Sequence, residues 1–186
     1  MKGAHSSSTS SVPHSHSNLV HLLVSVAKTH RLAIRSSYGA EIVGASHGLD
    51  DAFPTLITLV ELKSGILKPE QLKKYNECGN LPVHAYLTID AESVYKSITS
   101  KELKTPAEKT LLGHVMYLRE KLEKGVIQKI QWCDTRDMTA DGHTKGCVDR
   151  KLLLDLMDGK QTFTHPVKAY EPVRQTKALS HGYVNK

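Results

Sequence analysis

Val83-His84-Ala85-Tyr86-Leu87-Thr88-Ile89-Asp90 is the stretch on which the fold turns. Val83, Ala85, Leu87 and Ile89 alternate with His84, Tyr86 and Thr88, the period of two that lines one face of a strand with apolar side chains. The strand ends on Asp90, and a helix is expected from about Ala91 to Ser100. In open α/β sheets, ligands and metals are met at the C-terminal ends of strands, so Asp90 is a candidate site residue. Its plainer reading is an N-cap for the helix that follows.

Upstream, Ser36 and Ser37 offer an N-cap for a long helix over Tyr38 to Lys63. Ile42, Ala45, Leu49, Ala52, Phe53, Leu56 and Val60 recur at three and four along it, as one buried stripe requires. Pro54 should kink or restart that helix, because it removes a donor and crowds the carbonyl four residues back. Glu41 falls in its first turn, where a carboxylate commonly does no more than favour the helix dipole. Gly65 ends the helix, and Lys68 to Cys78 reads as a short polar helix before the Gly79-Asn80 turn. Further back, the apolar run LVHLLVSVA from Leu19 to Ala27 fits a buried strand. A short basic strand or loop, Lys28 to Arg35, joins it to the helix. Residues 1 to 17 are serine-rich with little apolar content and are expected to be disordered, with His5, His14 and His16 at best loose metal ligands.

Downstream, Thr105-Pro106-Ala107-Glu108 has the form of a capping box with proline at the first helical position. The helix it predicts runs to Lys124 and stops at Gly125, burying Leu111, Val115, Leu118 and Leu122. Val126 to Cys133 is a further strand. It leads into a loop-like stretch, Trp132 to Gly146, holding Asp134, Asp137, Asp141 and His143, a junction of the kind that carries chemistry on a rigid scaffold. Arg150 to Met157 completes the pattern as a helix with Leu153, Leu156 and Met157 facing in. Beyond Gly159 no periodicity is evident. The order of strands and helices predicts an α/β fold with a tail at 1–18, one domain over 19–159 and a basic, irregular tail over 160–186.

The 186-residue length suits a single core. Cys78, Cys133 and Cys147 are odd in number and widely spaced, which argues for reduced thiols rather than a disulfide framework or a metal knuckle. Cys147 with His143 would supply only two ligands, too few for zinc. No run approaches the roughly 18 apolar residues of a membrane span, and no apolar secretory core follows Met1, so the expected partners exclude membranes and the expected location is intracellular, cytoplasmic or nuclear. A net charge of +6 permits a polyanionic partner through phosphate neutralisation.

Glu41, Asp90 and Asp141 are spaced about fifty residues apart and would converge if the two later strands lie side by side. Carboxylate clusters of this kind suit Mg²⁺ or Mn²⁺, and two such ions about 4 Å apart clamp a phosphodiester for in-line displacement. Four segments then carry a resemblance: Arg35-Ser36-Ser37-Tyr38-Gly39-Ala40-Glu41, Thr88-Ile89-Asp90-Ala91-Glu92-Ser93, Leu118-Arg119-Glu120 and Ala140-Asp141-Gly142-His143-Thr144-Lys145. In this order and spacing they resemble the ribonuclease H domain of copia-type retrotransposon polyproteins, over roughly residues 19 to 159. The resemblance implies a ribonuclease H-like mixed sheet flanked by helices, with Glu41, Asp90 and Asp141 as catalytic metal ligands for Mg²⁺ or Mn²⁺. It implies an RNA–DNA hybrid or another nucleic acid as partner, and a reverse transcriptase domain beside it in a longer polyprotein. It leaves Asp134 and Asp137 as loop or cap residues and gives His143 no catalytic part.

The family's domain opens with two further strands, the first bearing another metal-binding aspartate. Here the run at Leu19 matches the family's third strand, and no aspartate or glutamate precedes Glu41. A two-metal site without its bridging carboxylate should bind metal poorly. The expectation is therefore a catalytically crippled member of that lineage, with a non-catalytic nucleic-acid-binding or structural remnant as the alternative.

Overall fold

The computed structural model describes residues 18–19, 22–26, 34–79, 81–141 and 150–173. Its frame is a long helix, α1 (Ser37–Ser64), laid over a small sheet. The serine expected to start α1 does so: Ser36 is extended, and its hydroxyl accepts a hydrogen bond from the Gly39 N–H at 3.1 Å. Glu41 lies one residue beyond the first turn, which contains no acidic side chain. The helix continues through Pro54, where a kink or restart was expected; the missing N–H leaves the Asp50 carbonyl without its usual intrahelical donor. A second helix, α2 (Pro69–Cys78), follows and is stopped by Gly79.

Strand β2 (Tyr86–Ile89) is shorter than the alternation over Val83 to Ile89 suggests. Helices α3 (Glu92–Thr99) and α4 (Leu112–Glu123) then carry the chain to β3 (Lys129–Trp132), which pairs in parallel with β2, Tyr86 opposite Lys129 and Ile89 opposite Trp132. A parallel neighbour requires such a crossover, and the two helices supply it. Gln128 fixes the register at the entry: its side chain takes up the Ala85 N–H, its own N–H donates to the Ala85 carbonyl at 2.9 Å, and its amide donates to Gly125. The mixed α/β arrangement expected from the sequence is therefore present, with a three-stranded sheet in which β3 lies between β2 and a strand at Lys168–Tyr170, β5.

Leu87, Ile89 and Ile130 face the helices and meet Ile42, Val43 and Leu49 of α1, Val94 and Ile98 of α3, and Val115, Leu118 and Leu122 of α4 in one buried cluster. Burial of that apolar surface, at roughly 25 cal/mol per Å², is the main force holding helices to sheet. The far half of α1 closes a smaller cluster through Val60, Leu81 and Val126.

Four expectations need correction. Leu22–Val26 is not a buried strand: its residues are exposed and no strand contains them. The nearest strand is the two-residue β1 (Asn18–Leu19). The Thr105–Glu108 pattern does not nucleate a helix: Glu108 stays extended, its carboxylate accepting from the Thr110 hydroxyl at 3.2 Å, and the chain enters α4 through a 3₁₀ turn at Lys109–Leu111. Helix α5 (Lys151–Met157) buries none of its residues, and Met157, expected inside, is 66% exposed. The segment after Gly159 is not structureless: β4 (Lys160–Gln161) pairs antiparallel with β1, and β5 (Lys168–Tyr170) pairs antiparallel with β3. The N-terminal seventeen residues, Lys28 to Leu32 and the His143–Cys147 region lie outside the described residues.

Two glycines give a clean contrast. Gly79 has φ +65° and a Cβ there would stand 2.3 Å from the Lys124 carbonyl oxygen and 2.5 Å from the Gly125 carbonyl carbon, all backbone. Gly48 sits within α1 with nothing within 4 Å of a Cβ. Gly79→Ala is expected to cost more than about 2 kcal/mol, and Gly48→Ala to stabilise by about 0.5–1 kcal/mol, in urea denaturation of the full chain.

Candidate functional site

The motif acids occupy three different elements. Glu41 is an exposed residue on α1, beside the fully buried Ile42 and Val43. Asp90 follows β2 and is half-buried. It does not cap α3, whose N-cap is Ala91, with no side-chain bond. Asp90 is instead held by its backbone, whose carbonyl accepts from the Trp132 indole N–H at 2.8 Å, next to the Ile89 carbonyl that takes the Cys133 N–H at 3.0 Å. Asp141 is half-buried and its N–H donates to the Met138 carbonyl at 3.2 Å.

The strand ends thus gather acids around Cys133. This thiol is buried, and burial, reinforced by the charges of Asp90 and Asp137, pushes its pKa up to about 11. A thiol that stays protonated at neutral pH is neither a ready nucleophile nor a metal ligand. The two loop acids close to it are already committed. Asp134 caps the 3₁₀ turn Thr135–Asp137 and takes a forked pair of bonds from Arg136, at 2.8 Å from Nε and 2.9 Å from the second terminal nitrogen. The Arg136 guanidinium and its backbone N–H hold the Asp134 carboxyl well below the usual range.

Asp137 is the residue that sequence reasoning undervalued. It is 3% exposed and accepts from the Thr164 hydroxyl at 2.7 Å, from the His165 N–H at 2.7 Å and from His165 Nδ1 at 3.1 Å. Burial alone would raise its pKa, but these bonds outweigh it and leave the carboxyl below its ordinary value. A loop acid from one side of β3 therefore pins the segment that carries β5 on the other. Nothing in the local sequence announces this, because its partners are 27 and 28 residues away.

Among the described residues, no three His, Cys, Asp or Glu side chains come close enough to hold a metal ion. Glu41, Asp90 and Asp141 form no such group, and the neighbouring Asp134 and Asp137 are bonded to Arg136 and to Thr164 and His165.

Two other features stand out. On the sheet face turned away from the helices, the His84 and Tyr86 rings lie parallel within 8° with centroids 6.5 Å apart, and Lys129 Nζ stands 4.6 Å from the Tyr86 centroid. At the opposite face, Lys168 Nζ lies 4.6 Å over the Trp132 ring and donates to Glu92 at 2.5 Å. Between α1 and α4 an open cleft of about 350 Å³ holds Ser46, His47, Asp50, His114 and Tyr117; the Tyr117 hydroxyl donates to Asp50, and burial together with that bond raises the phenol's pKa.

Comparisons with protein-family models, with characterised proteins and with solved structures each return no match. No helix among the described residues is long and apolar enough to cross a membrane.

The Asp137 clasp has a signed pH dependence. A carboxyl with a lowered folded pKa contributes stability that is present above the ordinary carboxylate range and is lost as pH falls through it. The wild-type chain should lose stability in urea denaturation between about pH 5 and about pH 3, and Asp137→Asn should lack that component. At about pH 7, Asp137→Ala is expected to cost roughly 2–3 kcal/mol, the value of hydrogen bonds to a buried charged acceptor.

Proposed function

We propose that this chain is a ribonuclease H-type domain that holds nucleic acid without hydrolysing it. The lineage rests on the four motif segments, and it is compatible with a sheet in which Asp90 ends a strand paired in parallel with the strand leading towards Asp141. The observation that carries the loss of hydrolysis is that Glu41, Asp90 and Asp141 belong to no metal-holding group of three among the described residues. Phosphoryl transfer in this class depends on two metal ions clamping the attacking and leaving oxygens. Without that clamp, a basic surface retains only the electrostatic part of the encounter, binding to phosphates with release of counterions. The net charge of +6 supplies the sign for it.

The full chain, incubated with a labelled RNA–DNA hybrid and Mg²⁺ or Mn²⁺, is expected to shift the hybrid in a gel at low salt, to release it as salt rises, and to leave the RNA strand intact. Metal-dependent cutting of the RNA strand that disappears in Asp90→Asn would overturn the proposal. Binding indifferent to salt would remove its electrostatic basis.

A further inference from the structure

The outer sheet face offers a surface of specific chemistry. The helices pack on Leu87, Ile89 and Ile130, so the intervening residues of β2 and β3, Tyr86, Thr88, Lys129 and Gln131, point the other way, and none of them belongs to either buried cluster. Thr88, Lys129 and Gln131 are half-buried on it. Tyr86 is 56% exposed, a large aromatic side chain left in water on a regular strand. His84 is also exposed, and the two rings are parallel at a spacing near the loose end of aromatic stacking. Lys129 brings a cation over the Tyr86 ring from the neighbouring strand. Thr88 and Gln131, bonded side chain to side chain at 3.4 Å, add polar groups further along the same face.

Aromatic rings standing off a sheet, a cation at their flank and amide or hydroxyl groups beside them are what unpaired nucleobases are stacked and held by. A duplex buries the faces of its bases and offers little to such a surface. An apolar protein partner would find a lysine and two polar side chains at the centre of the patch, and an acidic peptide would leave the rings unused. We infer that the His84–Tyr86–Lys129 face binds a single-stranded segment of nucleic acid, with a base stacked on the ring pair and its phosphate towards Lys129. This deepens the proposed function, since it rests on the reading of the chain as one that holds nucleic acid, and it names unpaired strand rather than duplex as the form held here.

The test uses the full chain with three probes at fixed salt: a short oligouridylate, an RNA–DNA hybrid of equal length, and uridine monophosphate. The expected result is binding of the oligouridylate that falls roughly five-fold or more in Tyr86→Val and survives in Tyr86→Phe, because stacking needs the ring and not the hydroxyl. Lys129→Met should also weaken it and flatten its salt dependence, while hybrid binding changes little in all three variants. Circular dichroism on each variant confirms that the sheet persists. Equal binding of the oligouridylate by wild type and a folded Tyr86→Val overturns the inference while leaving nucleic-acid binding standing. Uridine monophosphate bound as tightly as the oligomer overturns the strand in favour of a mononucleotide site. No binding of any probe by the wild type overturns both the inference and the function beneath it.

Discussion

The parallel pairing of β2 with β3 is the constraint on which the rest depends. Parallel strands cannot be joined by a tight turn, so the chain between them must cross over and cover the sheet. Here α3 and α4 make that crossing, and the register set by Gln128 at Ala85 decides which side chains face them. A slip of one residue would bury Tyr86 and Lys129 and expose Leu87 and Ile130. The same register places Asp90 and Cys133 side by side where the strands end and leaves an aromatic and basic row on the outer face.

Hydrophobic burial and polar commitment divide the work. The helices are held to the sheet by contacts among Ile42, Val115, Leu118 and Ile130, all essentially inaccessible to water. The C-terminal strand has no such anchor: Lys168, Ala169 and Tyr170 are exposed along β5. Its attachment comes from the ladder to β3, from Asp137 reaching Thr164 and His165, and from Lys168 spanning Trp132 and Glu92. Asp137 thus serves the attachment of the C-terminal segment.

Legibility from the sequence followed the range of the interactions. The N-cap at Ser36, the end of α2 at Gly79 and the alternation through Leu87 and Ile89 are set by neighbours within a few residues, and each was readable. The capping-box pattern at Thr105–Glu108 was readable too, and misleading: Glu108 is extended and makes no side-chain cap bond. β5 is three residues long between Pro166 and Pro172, too short to show a period; its cause lies across the sheet. The apolar run through Leu22–Val26 has strand composition, but composition supplies no partner strand. For the site, the positions of Asp90 and Asp141 relative to strands were legible, whereas the internal use of Asp137 was not, since its partners lie in a segment that carries no pattern of its own.

The proposed loss of hydrolysis requires that Glu41, Asp90 and Asp141 hold no pair of metal ions. Titrating Mn²⁺ into the isotopically labelled full chain tests it most directly, by paramagnetic broadening of backbone amide signals. The expected result is no saturable broadening centred on Glu41, Asp90 and Asp141, only weak and diffuse effects along acidic surface. Saturable broadening focused on those three residues, removed by Asp90→Asn in a chain that remains folded, would contradict it.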